Sequence, residues 1–165
     1  MPGGLAAVDV QDLAGDVRRR LQEQDAVDHV ADLAGFFWLT QAAIAEMATR
    51  YGGHVVNVSA TLAEVADSGT PAVLAALTKG GLAAATRSLA IEYASRGIRV
   101  NAVSPGIIQT PVHPAESYEH LGDRLPPLGR AGQVSDVVAA ILFLESSPYV
   151  TGEILHIDGG QVAGH

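Results

Sequence analysis

Two β-branched runs joined by a long helical stretch constrain this chain more than any other feature. His54-Val55-Val56-Asn57-Val58-Ser59 and Ile98-Arg99-Val100-Asn101-Ala102-Val103 have the length and composition of strands buried on both faces. Between them, Pro71 to about Ser95 reads as helix, and Gly97 ends it. A connection this long and this helical implies a crossover, so the two strands should be parallel neighbours. Ser104-Pro105-Gly106 then closes the second strand in a turn that can meet a ligand.

The flanking segments extend the same pattern. Val30, Leu33, Phe36/Phe37, Thr40, Ile44, Met47 and Ala48 recur at three- and four-residue intervals, predicting a helix from His29 to Arg50 that Gly52-Gly53 stops. Asp12 to Gln24 is a second amphipathic stretch with Asp12 as N-cap, and Leu5 to Val10 is compatible with a strand or a turn into a helix. Ala60 to Thr70 reads as loop, with Thr70 as N-cap and Pro71 as first residue of the following helix. Pro105 to Asp123, interrupted by Pro111 and Pro114, is a long loop with one short helix around Ala115 to Leu121. A helix at Gln133–Glu145 and a strand at Glu153–Ile157 follow, closed by Asp158-Gly159-Gly160. The fold class expected is α/β: a partial doubly wound, Rossmann-like parallel sheet with long flanking helices. Residues 1–165 read as one domain, with 1–26 unassigned and 27–165 carrying the pattern.

Composition excludes several function classes. No cysteine is present, which removes disulfides and thiolate metal sites, and the six histidines lack a metal-ligand spacing. No metal site is expected. A formal charge of −8, with Arg18-Arg19-Arg20 as the only basic run, argues against nucleic acid as partner. No stretch approaches the ~20 apolar residues of a membrane span, and Met1-Pro2-Gly3-Gly4 does not open a secretory signal. The expectation is a soluble, cytoplasmic protein without a membrane partner.

Several short motifs fall in one order along the chain. They are Leu33-Ala34-Gly35-Phe36-Phe37, Val55-Val56-Asn57-Val58-Ser59, Thr78-Lys79-Gly80-Gly81-Leu82 and Ser88-Leu89-Ala90-Ile91-Glu92-Tyr93. Gly97-Ile98-Arg99-Val100-Asn101, Pro105-Gly106-Ile107-Ile108-Gln109-Thr110, Thr151-Gly152-Glu153 and Ile157-Asp158-Gly159-Gly160 continue the series. From about Val27 to His165 the chain resembles the C-terminal part of a short-chain dehydrogenase/reductase. The resemblance implies an oxidoreductase that moves hydride between NAD or NADP and an alcohol or carbonyl. It also implies a tyrosine that moves the proton, a lysine that lowers the tyrosine's pKa and holds ribose, a serine that orients the substrate oxygen, and a helix asparagine.

Lys79 matches the lysine. The tyrosine position, one turn earlier on the same helical face, is Ala75; the serine position is Ala60; the asparagine corresponds to Asp32. Ser59 and Thr61 flank Ala60 and offer hydroxyls, either as catalytic groups or as caps of the loop. Lys79 is likewise open to two roles, an anion or ribose contact or a lysine stretched along a half-buried helix. By the same resemblance Lys79, Pro105, Gly106, Ile108 and Thr110 would contact the cofactor, and His113, Tyr118 or His120 would line the substrate loop. The glycine-rich phosphate turn and the Asn-Asn-Ala-Gly strand of the family are absent, so the chain reads as N-terminally truncated.

The expected function is therefore that of a short-chain dehydrogenase/reductase-like protein, impaired or inactive as this chain and with NAD(P) binding in doubt. The alternative is a non-catalytic oligomeric partner or binding protein derived from the same fold. The helices Ala31–Ala48 and Ala72–Ala94 match the family's intersubunit pair. They predict a homo-oligomer, dimer or tetramer, or a hetero-oligomer with an intact relative, burying Phe36/Phe37, Met47, Leu82 and Leu89.

Overall fold

Alternation along two strands organises the molecule. The computed structural model describes residues 24–50, 52–66, 70, 72–111, 118 and 125–164. Among them, β1 (Gly53–Val58), β2 (Ile98–Pro105) and β5 (Ile154–Ile157) form one parallel sheet in the order β1-β2-β5. The register pairs Val55 with Val100, Asn57 with Ala102, and Ser104 with His156. Two short strands, β3 (Ile108–Gln109) and β4 (Gly132–Gln133), pair in parallel beside it. The long helices among the described residues are α1 (Gln24–Thr49), α2 (Val73–Tyr93) and α3 (Val134–Ser146).

Side chains of successive strand residues point to opposite faces, and the two faces of β2 meet different helices. Ile98 and Val100 pack with Ile44 of α1 and Ala90 of α2, with Met47, Val55, Leu89 and Tyr93 around them. Ala102 continues that face against Ala83 of α2 and Ile154 of β5. Arg99 and Asn101 point the other way, to the C-terminal end of α3. The sheet is thus covered by α1 and α2 on one face and by α3 on the other, the doubly wound arrangement expected.

The Arg99 face carries a polar network. The guanidinium donates to the carbonyls of Leu144, Val150 and Glu145 at 2.9, 3.2 and 3.1 Å, which caps the last turn of α3. The Asn101 amide donates to Val150 O and to His54 Nε2, and its oxygen accepts the Glu153 N–H. With N–H donors on its Nε2 side, the imidazole of His54 carries its proton on Nδ1 and donates it to Glu145 at 2.6 Å. These bonds lock β1, β2, α3 and the turn before β5 together.

Some sequence expectations change. α2 begins at Val73 behind Ala72; Thr70, expected as its cap, is taken into a bridge, and Pro71 lies outside the described residues. Residues 94–96 tighten into a 3-10 turn, and Gly97, at φ 69°, supplies the left-handed turn into β2. The stretch from Pro105 onwards contains β3, which two residues without periodicity do not announce. The His54 side chain is only 5% exposed. The expected segments Leu5–Val10, Asp12–Glu23 and most of Ala115–Leu121 lie outside the described residues. No described helix is long and apolar enough to cross a membrane.

Candidate functional site

The C-terminal edge of a parallel sheet is where loops from several strands converge, and the motif residues gather there. Ser59 and Thr61 follow β1, Ala75 and Lys79 lie one turn apart on α2, and Pro105 to Thr110 follow β2. The structure brings the first two groups into contact. Ser59 is buried; its N–H continues the ladder to Val103 O at 2.8 Å, and its hydroxyl donates to the Lys79 carbonyl at 3.1 Å. That bond ties the end of β1 to the middle of α2. Thr61 is also buried, opening a 3-10 turn (Thr61–Ala63) behind Ala60. Lys79 is half-buried and, with Asn57 and Leu82, lines a groove between α1 and β1.

The Asn57 amide donates to the Thr86 hydroxyl at 2.9 Å inside the sheet–helix interface. Ala75 leaves no proton-carrying group one turn before Lys79. No described phenol or acid stands in the place the resemblance gives to the tyrosine.

The turn after β2 is tightly determined. Gly106 donates its N–H to Ile157 O at 3.0 Å, and a Cβ there would sit 2.9 Å from both Asp158 Cα and Gln161 Oε1. Glycine is required at this position by the approach of the Asp158 turn. Beyond it, the Tyr118 hydroxyl accepts the Thr110 N–H and donates to Ile108 O, both at 3.2 Å. Tyr118 was expected among the substrate-loop residues; the structure places its phenol on the backbone of the turn. His113 and His120 lie outside the described residues.

One polar cluster at this edge was not foreseen. The Glu64 carboxylate accepts the Ser104 hydroxyl at 2.9 Å and pairs with His156 Nε2 at 2.8 Å. His156 therefore has a carboxylate partner and is about one-third exposed. The carboxylate stands between hydroxyl and imidazole, so the serine proton faces Glu64 and the histidine is no base for it. Parity places Ser104 and His156 on one face, since they are register partners. Nothing in sequence points to Glu64, forty residues away from Ser104 along the chain.

The fit to a dinucleotide is partial. Ile108 C=O and Thr110 N–H form an acceptor–donor pair that matches a carboxamide, and in this structure both are engaged by Tyr118. No helix start among the described residues follows a glycine-rich turn of the kind that cradles pyrophosphate. The described residues do not fit a whole NAD(P).

Comparison with known proteins places the chain. A family model described as enoyl-(acyl carrier protein) reductase matches residues 6–161. An uncharacterized oxidoreductase of Schizosaccharomyces pombe is 42% identical over 159 residues, 92% of this chain and 53% of that protein. A 3-oxoacyl-[acyl-carrier-protein] reductase of Thermotoga maritima is 40% identical over 151 residues, 88% of this chain and 60% of that one. The chain belongs to the short-chain dehydrogenase/reductase family. The solved structure of ElxO with NADP bound superposes with a TM-score of 0.74 at 27% identity, covering 87% of this chain and 62% of its own. The short-chain dehydrogenase/reductase relatives are longer: the chain spans about half to three fifths of their length.

Proposed function

We propose that this chain derives from an NAD(P)-dependent oxidoreductase acting on an alcohol or carbonyl, and that as it stands it does not transfer hydride by the tyrosine-dependent route. The observation that carries this reading is Ala75, one turn before Lys79 on α2. A methyl group moves no proton, and loss of a general acid alone typically costs about 10²–10⁴ in rate. Ser59 does not replace the serine, because its proton is committed to the Lys79 carbonyl. The engaged turn at Ile108 and Thr110 further lowers affinity for a nicotinamide carboxamide. What this chain retains toward NAD(P) is Lys79 and the Pro105–Thr110 turn, a contact for one end of the cofactor.

The second reading, a non-catalytic oligomeric partner, is favoured by a specific surface. Phe37, Trp38 and Leu39 lie in succession on α1, with Trp38 65% and Leu39 74% exposed. Consecutive large apolar side chains left in water mark a contact with another chain. Either a second copy or an intact relative would serve, and a cytoplasmic location suits both. Titration with NADH and NADPH, run beside a 3-oxoacyl thioester reduction assay, tests the first reading; light scattering tests the second.

A further inference from the structure

A buried imidazole near the end of α3 carries an inference about how the fold responds to acid. His54, at the start of β1, has a side chain 5% exposed and sits between α3 and β2. Its Nε2 lies 3.0 Å from the Asn101 amide nitrogen and 3.3 Å from Arg99 Nη1, so that ring nitrogen is the acceptor and carries no proton. The Asn101 amide has no alternative orientation to offer. Its nitrogen also donates to Val150 O at 2.9 Å and its oxygen accepts the Glu153 N–H at 3.0 Å, so a flip breaks both bonds. Asn101 is fully buried and Arg99 caps α3, so neither donor withdraws without loosening the helix end.

We propose that His54 is a proton-sensitive latch: a proton on Nε2 releases the last turn of α3 and the segment 147–153 from β1 and β2. An Nε2–H would point at the Asn101 N–H across 3.0 Å and would set a second cation beside Arg99. Relief requires breaking the bonds that tie Leu144, Val150 and Glu153 to β2. The other charged groups around His54 do not reverse this. Glu145 attracts an imidazolium through Nδ1, but its side chain is 66% exposed and water screens the pair. At the end of α1, Glu46 and Arg50 pair with each other at 2.7 Å, and Tyr149 and Glu153 are exposed. The latched state keeps Nε2 free of a proton and the open state takes one up. The latch is therefore closed at high pH and lost as pH falls. α3 begins directly after β4, the partner of β3, so the latch lies at the far end of the helix that supports the Pro105–Thr110 turn.

Histidine ring resonances and amide exchange, followed on the full chain between ~pH 5 and 8, test the latch. At the upper end the His54 ring should show the Nδ1–H form. Protection of the Ser147 and Glu153 amides is measured against an unstructured peptide at each pH. As the ring takes up its second proton, that protection should fall on the order of tenfold, the effect of about one lost hydrogen bond. The two midpoints should coincide. The Ser59 and Gly106 amides, bonded to Val103 O and Ile157 O away from the latch, should keep their protection. His54→Gln supplies an uncharged donor and acceptor, and should hold protection level across the range. Level protection in the native chain while its His54 ring titrates overturns the proposal. So does a fall that persists in His54→Gln, or one that vanishes in His156→Gln. If His54→Gln fails to fold, Glu145→Gln decides: a fall that still follows the His54 ring supports the latch, and its disappearance assigns the fall to the carboxylate and overturns the latch.

Discussion

Replacing Arg99 with alanine should destabilise the fold without touching the candidate site. Its guanidinium donates to two part-buried carbonyls, Leu144 O and Val150 O, and to Glu145 O at the exposed rim. Bonds from a charged donor contribute about 1.5–3 kcal/mol each, and a cation at a helix C-terminus adds about 0.3–1 kcal/mol. Counting only the two part-buried bonds at the lower value, with the helix-end contribution, the loss is about 3–4 kcal/mol. For a chain of this size that lowers Tm by about 6–16 °C, at roughly 2–4 °C per kcal/mol. Urea and thermal unfolding followed by circular dichroism would measure both. Arg99→Lys should recover less than half of the loss, because an ammonium cannot reach three carbonyls in the fork geometry of a guanidinium. A loss below about 1 kcal/mol for Arg99→Ala would refute the account of this face, since each lost bond alone exceeds it.

Burial and charge set the outcome of three further substitutions. Leu82, expected from sequence to sit in an intersubunit contact, is 4% exposed within the chain, between α2 and β1. Met47 and Leu89 likewise pack on the core. Leu82→Arg should therefore unfold the protomer rather than dissociate an assembly, while Trp38→Glu should lower the mass seen by light scattering and leave the circular dichroism spectrum intact. The Glu145 carboxyl is held below the usual carboxylate range, first by the hydrogen bond and electrostatic attraction of His54 and then by the charge of Arg99. A depressed carboxyl stabilises the fold above its unfolded pKa, and that stabilisation is lost as pH falls through the folded value. Stability measured across the acidic range should thus fall less steeply for Glu145→Gln than for the native chain.

The main strands and helices are legible in sequence because their signals are local. β-branched runs mark β1 and β2, and the three- and four-residue recurrence from Val30 to Ala48 marks α1. Thr70-Pro71 reads as a good helix opening, but Thr70 is held in a bridge and α2 starts at Val73, a choice that local signals do not display. β3 and β4 have two residues each, too few for any period. The lysine, the missing tyrosine and the turn after β2 were readable from motif order. The His54–Glu145 and Glu64–His156 pairs were not, since their members stand 91 and 92 residues apart and only the sheet register brings them together. The roles of Ser59 and Tyr118 stayed open for the same reason: each hydroxyl is decided by a backbone group that sequence does not display.

The central claim is that this chain retains the family's fold without its tyrosine-dependent chemistry. Calorimetric titration of the full chain with NADH and NADPH, repeated for Lys79→Ala and paired with turnover of a 3-oxoacyl thioester, tests it most directly. The account predicts binding weaker than millimolar and no turnover, and little gain from Ala75→Tyr combined with Ala60→Ser. Micromolar binding with turnover that Lys79→Ala abolishes would contradict it.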